Sequence, residues 1–207
     1  MTQKTVAILG LIVCFLYFAT TVAFVATGSN PALLLFEIIT MLSGVYMVFL
    51  IAALPYAQHE KSKIPRIAAV SCAAACMAIT NIVHFLNITV IRPMIAGGVE
   101  VPDYLVLGLW PSAITATEYI AWGLFIALAF LLLALISKPK TILKPLLCLC
   151  GCLCMVGFLG VMINEYLWYV APLGYGVGTV VICMVLLHQG SAHQEVLPQP
   201  KGSFPAW

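Results

Sequence analysis

The chain has 207 residues, 63% hydrophobic and 8% charged, and its nine Lys and Arg against seven Asp and Glu leave a formal charge of +2. Soluble domains carry about 45–50% apolar and about 25% charged residues, so this composition excludes a water-soluble fold. The small net charge gives no reason to expect a nucleic-acid partner.

The apolar runs are continuous rather than alternating, and lipid offers backbone groups no hydrogen-bond partner, so the runs must be helices. The expected fold class is all-α: a polytopic transmembrane bundle of six helices, with membrane lipids as its first partners. A spanning helix needs about 20 apolar residues, and six runs qualify: 5–26, 32–54, 66–89, 112–136, 142–163 and 169–188.

The first run, about 22 residues long, exceeds the roughly 7–15 residue apolar core of a signal peptide and reads as a retained span. Gly28, Ser29, Asn30 and Pro31 close the first hairpin, with Asn30 expected as helix cap and Pro31 at the first helical position. Pro55, Pro65, Pro93, Pro111, Pro139, Pro145 and Pro172 punctuate the other ends. Residues 1–188 form the transmembrane domain; 189–207, with Pro198, Pro200 and Pro205, read as a flexible tail.

Lys and Arg stay on the cytoplasmic side of a membrane. If the six spans alternate, Lys4, Lys61, Lys63, Arg66, Lys138, Lys140, Lys144 and Lys201 share one side and only Arg92 falls on the other. The expected location is therefore the cell membrane, multi-pass, with both termini cytoplasmic.

Depth then follows from the rise of about 1.5 Å per residue. Glu37 lies about 9 Å inside the outer end of the second helix by the same rise. His84 sits near the outer end of the third, with Asn81 and Asn87 one turn to either side. Ser112, Thr115 and Glu118 descend from the outer end of the fourth, and Asn164 and Glu165 end the fifth. The inner halves are mostly Leu, Ile, Ala, Val and Cys. An ionised side chain facing lipid costs roughly 2.5 kcal/mol or more, so these groups are expected to face one another across an outward-open polar pocket. Its candidate ligand-binding residues are Glu37, Asn81, His84, Asn87, Glu118, Tyr119, Trp122, Asn164 and Glu165.

Bland readings stand beside these. Thr115-x-x-Glu118 fits a capping box, Asn164 and Glu165 fit an interfacial loop, and His84 fits an interhelical hydrogen bond. Glu37 is too far beyond Asn30 to be a cap. A loose repeat aligns Pro65 with Pro145, Cys72 with Cys152, His84 with Asn164, and Glu37 with Glu118, as two related hairpins or chance would produce.

The connection from Arg92 to Trp110 reads as either a lid over the pocket, with Arg92, Glu100 and Asp103 at its edge, or an interfacial anchor built on Tyr104 and Trp110. Cys148, Cys150, Cys152 and Cys154 alternate on opposite helix faces, which favours small-residue packing over a metal site. No phosphate loop, nucleophile elbow, zinc helix or paired haem histidines are present, so no cofactor or metal is expected.

The stretches NIVHFLNITVIRP (from Asn81) and LWPSAITATEYIAWGL (from Leu109) resemble a recurrent pattern in small, uncharacterised bacterial six-helix membrane proteins. The resemblance covers about a fifth of the chain and implies no activity. Three readings follow from the residues: a transporter-like or receptor-like protein binding a small molecule or ion, an intramembrane acid–base enzyme acting on a lipid or isoprenoid, and an accessory subunit docking a membrane-protein partner.

Overall fold

The computed structural model describes residues 2–57 and 59–194, with side chains through Gln189. Six helices are long and apolar enough to cross a membrane: α1 Gln3–Thr27, α2 Asn30–Ala53, α3 Glu60–Ala96, α4 Ala113–Ile136, α5 Leu143–Gly160 and α6 Glu165–Gln189. There is no strand among the described residues. The architecture is the all-α bundle of a multi-pass membrane protein. Each helix packs on its chain neighbours and α6 returns to α1, closing a ring.

Several boundaries differ from the sequence expectation, each for a physical reason. Ser29, not Asn30, caps α2: its hydroxyl accepts from the Ala32 N–H at 3.4 Å, and Pro31 follows within the first turn. Pro93 does not end α3. The backbone widens into a π-turn over Asn87–Ile91 and resumes as helix through Arg92–Ala96, which accommodates a residue with no N–H to donate. Likewise Pro172 lies inside α6, ahead of a second π-turn over Leu173–Val177. The last helix continues to Gln194, so the first residues of the expected tail are helical; the rest of that tail lies outside the described residues.

Alternation of the helices places Lys4, Lys61, Lys63, Arg66, Lys138, Lys140 and Lys144 at one end, here the basic end. That half of the bundle is filled. Leu50, Ile51, Ile126, Phe130, Leu133 and Leu147 are almost completely buried. Close approach of small residues sets the helix seams. A Cβ on Gly174 would stand 2.7 Å from the Cys154 sulfur and 2.5 Å from the Cys150 carbonyl oxygen, so α5 and α6 meet only because no side chain intervenes. Cys150 and Cys154 fill this seam, whereas Cys148 and Cys152 face outward, and all eight cysteines are unpaired thiols.

Toward the other end the ring loosens. Of α1, only Val6, Ala7, Gly10 and Thr20 are buried, three of them near the basic end. Gly10 is the pivot: a Cβ there would overlap the Tyr46 ring and stand 2.6 Å from the Cys183 sulfur. Tyr46 and Cys183 themselves share a hydrogen bond of 3.1 Å. Beyond this contact α1 and α6 diverge.

Candidate functional site

The divergence leaves a cavity of about 760 Å³ in the half of the bundle away from the basic end. Tyr46, Met47 and Thr179 line its deep end, and Leu107 and Gly108 of the connection before α4 line its top. Phe15, Phe18 and Val177 also line it, although they are 69%, 68% and 57% exposed. A side chain can be both cavity wall and outer surface only where the wall is open, so the cavity opens to the outer surface of the bundle between α1 and α6.

The walls are chiefly aromatic. Tyr119 stacks on Trp168 at 4.0 Å, Trp168 reaches Tyr175 at 6.3 Å, and Tyr175 meets Trp122 at 4.9 Å between ring centroids. Trp110 extends the series by stacking on Tyr119 at 5.5 Å. A third π-turn over Ile120–Phe125 turns Trp122 into this arrangement. All three π-turns thus lie on cavity-forming helices, and such bulges concentrate at functional sites.

Two ionisable head groups other than Tyr and Cys face the cavity, His84 and Glu118. Both are buried, at 4% and 9% exposure. His84 Nε2 stands 3.6 Å from Glu118 Oε1, close enough for electrostatic contact and too far for a hydrogen bond. His84 Nδ1, Glu118 Oε1 and the Thr80 hydroxyl are buried and lack hydrogen-bond partners among the described residues. Buried polar atoms are almost always partnered, so three such atoms close together single out this part of the bundle.

Glu118 is not a capping acid. Ser112 caps α4, its hydroxyl accepting from the Thr115 N–H at 3.4 Å, so Glu118 lies well beyond the cap position. The Thr115 hydroxyl instead accepts from the Gly108 N–H at 2.9 Å, pinning the connection over the cavity. Ser112 adds a hydrogen bond to the Tyr104 carbonyl at 3.2 Å. Gly108 makes this crossing with φ of 90°, in the left-handed region that favours glycine.

Glu37 does not face the cavity. Its carboxylate accepts from the Asn87 amide and pairs with Arg92 Nη1 at 3.0 Å, while Arg92 Nη2 donates to the Asn30 carbonyl at 3.0 Å. Arg92 is therefore no part of a lid edge. It ties α3 to the start of α2, and it is a neutralised cation at the end opposite the other basic residues. The signal for this was in the sequence: Arg92 is the lone exception to the charge asymmetry, and Glu37 is an acid at similar depth on the neighbouring helix.

The structure therefore divides the nine candidate residues. His84, Glu118, Tyr119 and Trp122 come together on the cavity wall. Glu37 and Asn87 form a separate buried cluster with Arg92. Asn81 is half-buried and does not line the cavity. Asn164 caps the first turn of α6 by accepting from the Tyr166 N–H at 2.9 Å, and Glu165 is exposed at a small depression beside Trp110. The aligned pair His84 and Asn164 thus share no environment. Sequence reasoning missed Tyr17, Phe36, Trp168 and Tyr175, since aromatics on apolar helices carry no signal to distinguish a cavity wall from a core. Among the described residues no group of three His, Cys, Asp or Glu side chains is arranged to hold a metal ion.

No family model, curated protein or solved structure matches the chain.

Proposed function

We propose that this protein binds a small molecule within the membrane, in the cavity on the half of the bundle away from its basic loops, and that this half faces the outer side. The observation that carries the reading is a cavity of about 760 Å³ whose wall holds two buried polar groups, Glu118 and His84, each with one atom that has no hydrogen-bond partner among the described residues. Ligand pockets run roughly 300–1,000 Å³ and combine apolar walls with a few convergent polar groups. The filled basic half supports a receptor-like or carrier-like role over a channel, because the cavity lining reaches Tyr46 and Met47 and the Leu50, Ile51 and Phe130 side chains on the basic side are completely buried. The charge asymmetry supports the orientation, with Arg92 neutralised by Glu37 and both termini cytoplasmic.

A cavity-filling variant tests the binding. A Cβ at Gly176, on the cavity wall, would meet nothing within 4 Å, so Gly176→Leu should fold while occupying the space. Mass spectrometry of extracts from the purified protein should find a discrete small molecule with the wild type and lose it with Gly176→Leu. Identical extracts from both would refute the reading. Orientation is tested with all eight native cysteines replaced: an impermeant thiol reagent should label Glu100→Cys on intact cells and Lys61→Cys only after permeabilisation. The reverse would invert the topology.

A second reading, acid–base catalysis on a lipid or isoprenoid, is favoured by the 3.6 Å approach of His84 to Glu118. It requires that the retained molecule be consumed on incubation with active protein and persist with Glu118→Gln.

A further inference from the structure

We propose that the bound molecule is a lipophilic cation: an amphiphile whose ammonium group sits against Glu118 and whose apolar body lies among Tyr119, Trp122, Trp168 and Tyr175, reached from the bilayer between α1 and α6. This rests on the binding reading above and names its ligand class.

Charge comes first. No Lys or Arg lines the cavity, and Arg92, the one cation at this end among the described residues, is committed to Glu37 and the Asn30 carbonyl. An anionic ligand would add a second negative charge beside Glu118 with no Lys or Arg on the wall to offset either. A neutral apolar ligand would leave the Glu118 oxygen buried without a partner, an arrangement that costs free energy in a low-dielectric site. A cation relieves it. Wall chemistry agrees, because aromatic rings present a negative face that attracts ammonium groups.

Size and composition exclude a bare metal cation. Hard cations take six or more oxygen ligands in a tight shell, whereas this space is roughly the size of a drug-like ligand site and is bounded mainly by rings and aliphatic side chains. Access comes from the side. The exposure of Phe15, Phe18 and Val177 on the same wall opens the cavity toward acyl chains, where a lipophilic cation partitions, while Leu107 and Gly108 cover the top.

The test uses the full chain in nanodiscs of zwitterionic lipid and three probes of similar shape: tetraphenylphosphonium, its anionic counterpart tetraphenylborate, and neutral triphenylmethane. Binding is read as saturable quenching of tryptophan fluorescence, since Trp122 and Trp168 line the cavity. Tetraphenylphosphonium should bind saturably at one site and tetraphenylborate should not. Glu118→Gln should weaken the cation at least tenfold, and His84→Lys, which places a competing amine beside the carboxylate, should weaken it similarly. Glu37→Gln, outside the cavity, should leave the affinity within twofold. Circular dichroism and a single size-exclusion peak confirm that each variant is folded. If the neutral or anionic probe binds as tightly as the cation, or if Glu118→Gln leaves cation affinity within twofold, the cation inference is overturned and the pocket stands. If no probe binds saturably and Gly176→Leu changes no retained molecule, both fail.

Discussion

Glu37 and Glu118 are the two buried acids among the described residues, on α2 and α4 of one bundle with α3 between them, yet their surroundings are opposite. Glu37 is satisfied within the fold, by the Asn87 amide and the Arg92 guanidinium. Glu118 faces a cavity with one oxygen unpartnered and the His84 imidazole beyond hydrogen-bond reach. Burying a charge is tolerable when a partner and hydrogen bonds come with it. On the proposal made above, the fully paired carboxylate is structural and the one with a free oxygen toward the cavity is the one that meets the ligand.

The largest expected effect comes from removing the partner on the satisfied side. Arg92→Ala strands the Glu37 carboxylate and frees the Asn30 carbonyl, and should cost about 3 kcal/mol, the lower end of the range for breaking a buried pair. Unfolding by titration with a denaturing detergent measures it. Replacing both partners, Glu37→Met with Arg92→Met, should recover most of the loss; failure to recover would mean that Arg92 acts through some contact other than Glu37.

A smaller effect is expected where the closed half meets the cavity. Gly10→Val would drive a branched side chain into the Tyr46 ring and the Cys183 sulfur, costing about 2 kcal/mol as overpacking does. Because Gly10 holds α1 to α6 below the opening, the same variant should widen that opening and speed ligand dissociation. Unchanged stability would show that α1 is not anchored there.

The smallest is at the cover. Thr115→Val keeps the shape but removes the acceptor for the Gly108 N–H, a change of about 1 kcal/mol. Its visible consequence should be local: faster amide exchange across residues 97–112, with the helices unaffected.

The six helices and the division into a filled half and a polar half were legible because both depend on one-dimensional properties, namely run length and the distribution of charged and polar residues. Convergence of His84 with Glu118 was legible for the same reason, since two costly groups at equal depth on adjacent helices lower their penalties together. Helix rotation was not. Whether Glu37 turned toward the cavity or toward Arg92 depended on α3 continuing past Pro93, and a proline at the end of an apolar run normally signals termination. The π-turn that lets the helix continue leaves no mark that a reading by period can detect. The alternative cap at Thr115 is set aside because Ser112, the better capping residue of the two, already accepts from the Thr115 N–H.

The central claim, that one acid holds the fold and the other serves a ligand, is tested most directly by comparing Glu37→Gln and Glu118→Gln in the same preparation for unfolding free energy and ligand retention. Each keeps the side chain's shape and removes its charge. Glu37→Gln should lose about 2 kcal/mol, discounted because Arg92 is partly exposed, and keep the ligand. Glu118→Gln should lose less stability than Glu37→Gln, because it keeps an amide that can still meet Trp122 and Thr80 and breaks no ion pair with Lys or Arg, and should lose the ligand. If Glu118→Gln instead destabilises as much as Glu37→Gln, or both retain the ligand equally, the division between the two acids is wrong.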